Sequence, residues 1–341
     1  MANVKPLLYD AELAIKDIFN SQFDLSYTNA RYVPTYDDPD LTFERGYTKK
    51  GKEIETCVLF VDIRDSVALN NKHQKDTMAK LYAAFVKSVI YAANHHNGAV
   101  RNIIGDRVMV VFQPQDCFIN AVECAISINK ICNDILNQHF KFNNIKCGIG
   151  LDWGNMRVIK VGTHRQGAER ASSKNLIWVG QPANVSSRLT DVANKEIITK
   201  KVKYTVEKYQ WRNQYKFLPK GFGGIDWANL LEDSNNNLPK KVSVIEDVKS
   251  DEFASRLTVN ESGELFVKDK SGIDQHRLLS FEHLEEKSNN PPILMTEKVY
   301  LEYRKAKPQA PEIVSNWWRE QIIDVKDYGG KIFGGSVTWK I

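Results

Sequence analysis

The sequence predicts an α/β (α+β) chain organised around one strand, and three observations point to it. The run Thr56–Leu69, TCVLFVDIRDSVAL, carries five residues, Cys57 to Val61, of the small, β-branched or aromatic kinds that suit a strand covered on both faces, and they end on a lone acid, Asp62. A second apolar stretch, Val100–Phe112, holds Gly105 and Asp106 in what reads as a two-residue hairpin turn. Between them, from about His73 to Asn97, Met78, Leu81, Tyr82, Phe85, Val86, Val89, Ile90 and Ala93 recur at helical spacing, with Gly98 as a stop. Strand, helix and hairpin make a compact unit that can return Asp106 to the side of Asp62. Paired carboxylates are hard oxygen ligands for Mg²⁺ or Mn²⁺, and two such ions serve phosphoryl chemistry.

Taken in order, residues 1–52 divide into a short amphipathic helix around Tyr9–Phe19 and a polar leader that needs the domain, or a partner subunit, to lie on. After the acidic hairpin a second helix is expected from about Cys117 to Gln138, through Ile119, Val122, Ala125, Ile126 and Ile135. Strands follow at Ile145–Gly150, Asp152–Val161 and Leu176–Val179. The loop Gly162–Asn175, with Arg165, Arg170 and Lys174, reads either as a solvated connection or as a basic cover for phosphates. Gly180, Gln181 and Pro182 then open a helix, on which Asn184 and Arg188, four apart, share a face and can touch one ligand.

Composition narrows the classes. Lys plus Arg number 47 against 42 for Asp plus Glu, and a net charge of +5 makes no case for nucleic acid or a membrane surface. No run is long enough for a membrane span, and no signal peptide is evident. Cys57, Cys117, Cys124, Cys132 and Cys147 sit in apolar settings without metal-ligand spacing and read as reduced core thiols of a cytoplasmic protein.

Together these stretches resemble the catalytic domain of class III nucleotidyl cyclases, over roughly residues 54–200. The resemblance implies a mixed, mostly antiparallel sheet flanked by helices, and an enzyme that turns a nucleoside triphosphate into a 3′,5′-cyclic monophosphate and pyrophosphate. It assigns two divalent ions, Mn²⁺ or Mg²⁺, to Asp62, the adjoining Ile63 and Asp106. The catalytic pair is Asn184 and Arg188, and the site is shared across a homodimer, one subunit holding the metals and the other offering the pair.

Departures from the family pattern bear on the base. Where purine cyclases place Lys or Glu four residues before the second aspartate, this chain has Asn102; where they place Asp, Thr or Cys before the Asn/Arg helix, it has Ile177. An amide beside an apolar wall suits a smaller base, UTP or CTP. Arg101 is a further possible base contact that strand alternation assigns to the opposite face. Asp65 and Val67 stand where the family commonly has Gly and Thr in its phosphate turn. With the polar leader and the Trp178, Gly180, Asn184 spacing, the chain is most similar to the pyrimidine cyclases of bacterial Pycsar antiphage systems. That likeness implies a uridylate cyclase, with cytidylate or adenylate cyclases as alternatives, whose product reaches a separate effector without direct contact. A nucleotide-binding module with a lapsed site is the reading from another class.

The last third leaves alternatives open. Glu196–Tyr209 and Pro292–Arg304 each fit the strand and helix that follow the Asn/Arg helix in the family, so one of them is displaced by an insertion. The expected divisions are a leader (1–52), a catalytic core (53–210), an insertion or irregular segment (211–290) and a closing strand, helix and hairpin (291–341). Phe60, Asn102, Ile177 and Lys326 complete the nucleotide-binding candidates. Lys331 is the alternative to Lys326 for the phosphates, and an exposed hairpin lysine is the plainer reading of either.

Overall fold

The computed structural model describes residues 4–19, 24–42, 48–142, 144–162, 164–165, 168–169, 175–210, 240–272 and 274–339. The chain divides into two compact units, residues 1–195 with 289–341, and residues 196–288. The first unit is a mixed sheet, mostly antiparallel, flanked by helices. Its strands, in chain order, are β1 (Asp24–Asn29), β2 (Thr48–Ile63), β3 (Gly98–Ile104), β4 (Arg107–Phe112), β5 (Cys147–Val161), β8 (Asn175–Val179), β14 (Ile293–Thr296), β15 (Arg319–Gln321) and β16 (Ile332–Gly335). Across the sheet the order is β15-β16-β14-β5-β2-β4-β3, with β1 joined to β2 and β8 to β5; only β1 with β2 and β14 with β5 run parallel. Two short strands, β6 (His164–Arg165) and β7 (Ala168–Glu169), pair with each other; Arg170 and Lys174 of the expected basic loop lie outside the described residues.

β2 is buried on both faces, as its composition requires. Cys57, Leu59, Val61 and Ile63 face the long helix α3 (Lys75–His95) and helix α4 (Cys117–Lys130), packing with Met78, Leu81, Phe85, Val89, Val122 and Ile126. Each such side chain removed from water contributes about 1.5–3 kcal/mol before entropy is charged. The short helix α2 (Ser66–Lys72) leads into α3. Beyond α4 the chain continues helically, through a π-helical turn at Ile131–Leu136 into α5 (Asn137–His139), where Asn137 receives the Ile145 N–H. The strands expected at 145–150 and 152–161 are one continuous β5.

The opposite face carries helix α6 (Gln181–Val192). It lies unusually close to β5 because Gly150 has no side chain: a Cβ there would stand 2.2 Å from the Ser186 carbonyl oxygen. The chain opens on helix α1 (Lys5–Ile18), with no buried residue. The leader after it lies on the first unit. β1 extends the sheet, Val33 and Leu41 are buried with Val58 and Met156, and Gln113 accepts the Val33 N–H at 3.0 Å. All five cysteines are buried and free.

The open alternative in the last third now resolves. Ile293–Thr296 is the strand that joins the main sheet, followed by a helix at Glu297–Ala306. Glu196–Gln210 (β9) instead belongs to the second unit, which begins upstream of the insertion expected at 211 because β9 finds its partner in β10 (Lys240–Lys249). That unit also holds β11 (Leu257–Val259), β12 (Leu265–Lys268) and β13 (Gln275–Asn289), and its five strands run in the order β10-β9-β13-β12-β11. The helix Ser250–Arg256 places Phe253 on its small core of Val202, Tyr204, Val206, Val248 and Val267. The part of the expected insertion at 211–239 lies outside the described residues.

Candidate active site

Asp62 stands at the end of β2, and Asp106 follows Gly105 in the turn from β3 to β4. Gly105 has φ +63, the positive value that the first residue of a type II′ turn requires. The turn brings Asp106 against Asp62 and Ser66, and burial, with the Asp62 charge beside it, pushes the Asp106 carboxyl above its ordinary value. Its Oδ2 is buried with no hydrogen-bond partner. An orphaned carboxylate oxygen beside a second carboxylate is a donor set that fits Mg²⁺ or Mn²⁺, which take a few protein oxygens and fill the remaining positions with water and phosphate. Among the described residues no group of three or more His, Cys, Asp or Glu forms a fuller cage. Ile63, next in the strand, is buried in the core. Asp65, at the N-cap of α2, has φ 56, a left-handed conformation that Asp tolerates better than most residues and that Gly adopts freely.

Asp62 does not stand alone. Arg107 donates to its Oδ2 through Nη2 at 2.9 Å and Nε at 3.3 Å, and Arg64 Nη2 lies 3.5 Å away. Arg107 also donates to Ser187 Oγ at 3.1 Å and pairs with Asp191, both on α6. Burial works against the Arg107 charge, but the hydrogen bonds to Asp191 and Asp62 outweigh it and raise its pKa.

Further along α6, Phe60, Arg101, Asn102, Ile177, Asn184 and Ser187 help line one cavity of about 360 Å³, at the small end for a ligand site. The structure thus brings together four of the expected site residues. It corrects the expectation for Arg101. A β-bulge between Val100 and Asn102 interrupts the alternation of β3, so Arg101 lines the same cavity as Asn102 rather than the opposite face. Burial lowers its pKa, with Tyr36 opposing, and its Nε is buried without a partner.

Arg188 is held elsewhere: its Nη1 pairs with Asp327 at 2.8 Å and donates to the Lys326 carbonyl. Lys326 itself has an exposed side chain, and Lys331 pairs with Glu320 at 3.1 Å. Ser187 and Asp191 follow Asn184 at helical spacing, so the sequence itself carries the signal of their shared face. Nothing in the sequence points to Asp327.

A family model described as the adenylate and guanylate cyclase catalytic domain matches residues 48–222 of the 341. A protein of Gulbenkiania mobilis named uridylate cyclase is 27% identical over 243 residues, covering 67% of this chain and 88% of that protein. Another of that name, from Burkholderia cepacia, is 24% identical over 192 residues, covering 54% and 78%. A crystal structure of the adenylyl cyclase CyaB from P. aeruginosa overlays with a TM-score of 0.44 at 13% identity, covering 83% of this chain and 94% of that one.

Proposed function

The chain belongs to the adenylate and guanylate cyclase catalytic-domain family, and from that premise we propose that it converts UTP into 3′,5′-cyclic UMP and pyrophosphate. The observation that carries this reading is the cavity lined by Arg101 and Asn102 beside Asn184, in a chain that also brings the carboxylates Asp62 and Asp106 together at the end of β2. Arg101 favours uracil within that pocket. A guanidinium only donates, uracil offers carbonyl acceptors on both flanks of its N3–H, and the Asn102 amide oxygen can accept that N–H. Cytosine places an amine where uracil has O4, and would set donor against donor. The relatives named uridylate cyclase agree with the choice.

In this reading, Asp62 and Asp106 would hold the divalent ions, which would supply charge neutralisation for the triphosphate and Lewis acidity for the ribose 3′-hydroxyl. Arg188 stabilises negative charge growing on the α-phosphoryl and leaving oxygens, and Asn184 orients the ribose. Arg188 is occupied by Asp327 while Asp62 is occupied by Arg64 and Arg107 of its own chain. Such separate partners suit a homodimer in which each site draws its carboxylates from one subunit and its Asn/Arg pair from the other. Cyclic UMP then serves as a second messenger in antiphage defence, read by a separate effector. Turnover of UTP with Mn²⁺ tests the reading, with cyclic UMP and pyrophosphate expected in equal amounts. Binding of UTP with no cyclic product would mark a regulatory nucleotide-binding module instead.

A further inference from the structure

All three nitrogen contacts to Asp62 converge on one oxygen, Oδ2, and two of them come from Arg107, the residue that directly follows Asp106. The Asp62 and Arg107 side chains are 17% and 28% exposed, so their pairing is only partly screened by water. Arg107 spans two elements. Besides Asp62 on β2 it holds Ser187 Oγ and the Asp191 carboxylate on α6, and Arg64 adds a hydrogen bond from Nη1 to the Asp191 carbonyl at 3.2 Å. A guanidinium cannot vacate a carboxylate by losing its proton, since it stays charged throughout the accessible pH range.

We propose that Arg107 is a resident counter-cation that competes with the divalent ion for Asp62, so that metal loading and the Arg107 bridge to α6 exclude one another. The inference rests on the reading of Asp62 as a metal ligand. A divalent ion at Asp62 meets an Oδ2 already taken by Arg107 and Arg64 and a carboxylate charge already offset by them, and two positive centres a few ångströms apart in a partly dry site repel. A triphosphate relieves the conflict, because its oxygens accept a guanidinium fork as well as a carboxylate does. Substrate therefore draws Arg107 off Asp62 and admits the metal, while α6, with Asn184 and Arg188, loses its tie to the acidic hairpin. Metal without nucleotide binds weakly, and nucleotide tightens it.

The test is Mn²⁺ titration of the full chain without nucleotide, with free Mn²⁺ read by its paramagnetic resonance signal. Arg107→Gln is expected to bind Mn²⁺ roughly ten-fold more tightly than the unaltered chain, the scale of a lost competing charge. Asp191→Asn, which removes the other carboxylate that shares Arg107 and leaves its guanidinium to Asp62, should bind Mn²⁺ no more tightly than the unaltered chain. Arg107→Lys, which keeps the charge, should stay weak. Mn²⁺ binding by Arg107→Gln no tighter than by the unaltered chain, or by Asp191→Asn tighter than by it, overturns the competition. Mn²⁺ binding by the double variant Arg107→Gln, Asp62→Ala as tight as by Arg107→Gln alone overturns instead the assignment of Asp62 as a ligand, so the two failures are distinguishable.

Discussion

At the C-terminal end of α6, Asp62 is gripped by two arginines and tied through Arg107 to Ser187 and Asp191; at its N-terminal end, Asn102, Ile177 and Asn184 stand around a cavity. One region is determined by several charged contacts to the same oxygen, the other by the shape of a bulged strand. The two respond differently to a shift of the chain. A charge cluster survives small movements of backbone, because each partner can follow, whereas a pocket built on strand alternation is rearranged by a single extra residue. The contrast teaches that a cluster of charged contacts and a cavity beside a bulged strand can lie along one helix and yet depend on different features of the chain.

The largest effect should come from breaking the carboxylate corner. Asp62→Ala or Asp106→Ala should each lower cyclase turnover by at least ~10³-fold, since in the proposed reading either removes a ligand for the divalent ions. Circular dichroism should show the fold kept. Mixing Asp106→Ala with Arg188→Ala subunits should restore part of the activity, because a mixed dimer retains one intact composite site; no recovery despite proven subunit exchange would confine each site to one chain.

A smaller effect is expected at the pocket. Arg101→Ala should lower kcat/KM for UTP by ~10–100-fold and that for CTP by less, as expected when one donor matched to a substrate acceptor is lost. Equal losses for both would remove Arg101 from base recognition and return that role to Asn102 alone.

A third carboxylate sharpens the comparison in the core. Asp152 is 6% exposed and accepts hydrogen bonds from the Thr296 hydroxyl at 2.7 Å and the Trp153 backbone, with no arginine among the described residues like those that hold Asp62. Burial pushes its pKa up from 3.8 to about 6. A raised folded pKa in an acid means that the folded state holds the proton longer than the unfolded one. The contribution of Asp152 to stability is therefore most favourable below about pH 4 and falls as pH rises to about 6. Asp152→Asn should thus stabilise the chain by up to about 3 kcal/mol at pH 7.5 and by little at pH 4, read as the change in Tm at each pH. A variant equally destabilised at both would show that the buried amide, rather than the charge, decides the balance.

Most of the first unit is legible in the sequence because its signals are local and periodic: a two-sided apolar strand, helical spacing over α3, a Gly-Asp turn with its positive φ, and a Gly, Gln, Pro opening to α6. Four candidates, Phe60, Asn102, Ile177 and Asn184, line one cavity: Phe60 and Ile177 come from strands that pair with β5 in unbroken register, and Asn102 follows the bulge in β3. Arg101 departs from its expected face because a bulge leaves no sequence mark at Val100 or Asn102. Arg107 is visible beside Asp106, but its meaning depends on Ser187 and Asp191, some 80 positions away. Asp327 lies still further from Arg188, in a turn closed by the Val325–Tyr328 bridge, and no periodicity predicts such a contact. The choice between Glu196–Tyr209 and Pro292–Arg304 required the sheet itself, since both mix apolar and charged residues and only one pairs with β5.

A pyrimidine cyclase site along α6 is tested most directly by a competition assay. All four triphosphates would be offered together at equal concentration with Mn²⁺, and the cyclic products weighed by mass spectrometry. Cyclic UMP should predominate over cyclic AMP and cyclic GMP by ~10²-fold or more, the discrimination expected of a polar pocket that leaves wrong partners unpaired. Cyclic CMP as the main product would contradict the role given to Arg101, and cyclic AMP or cyclic GMP would contradict the pyrimidine pocket altogether.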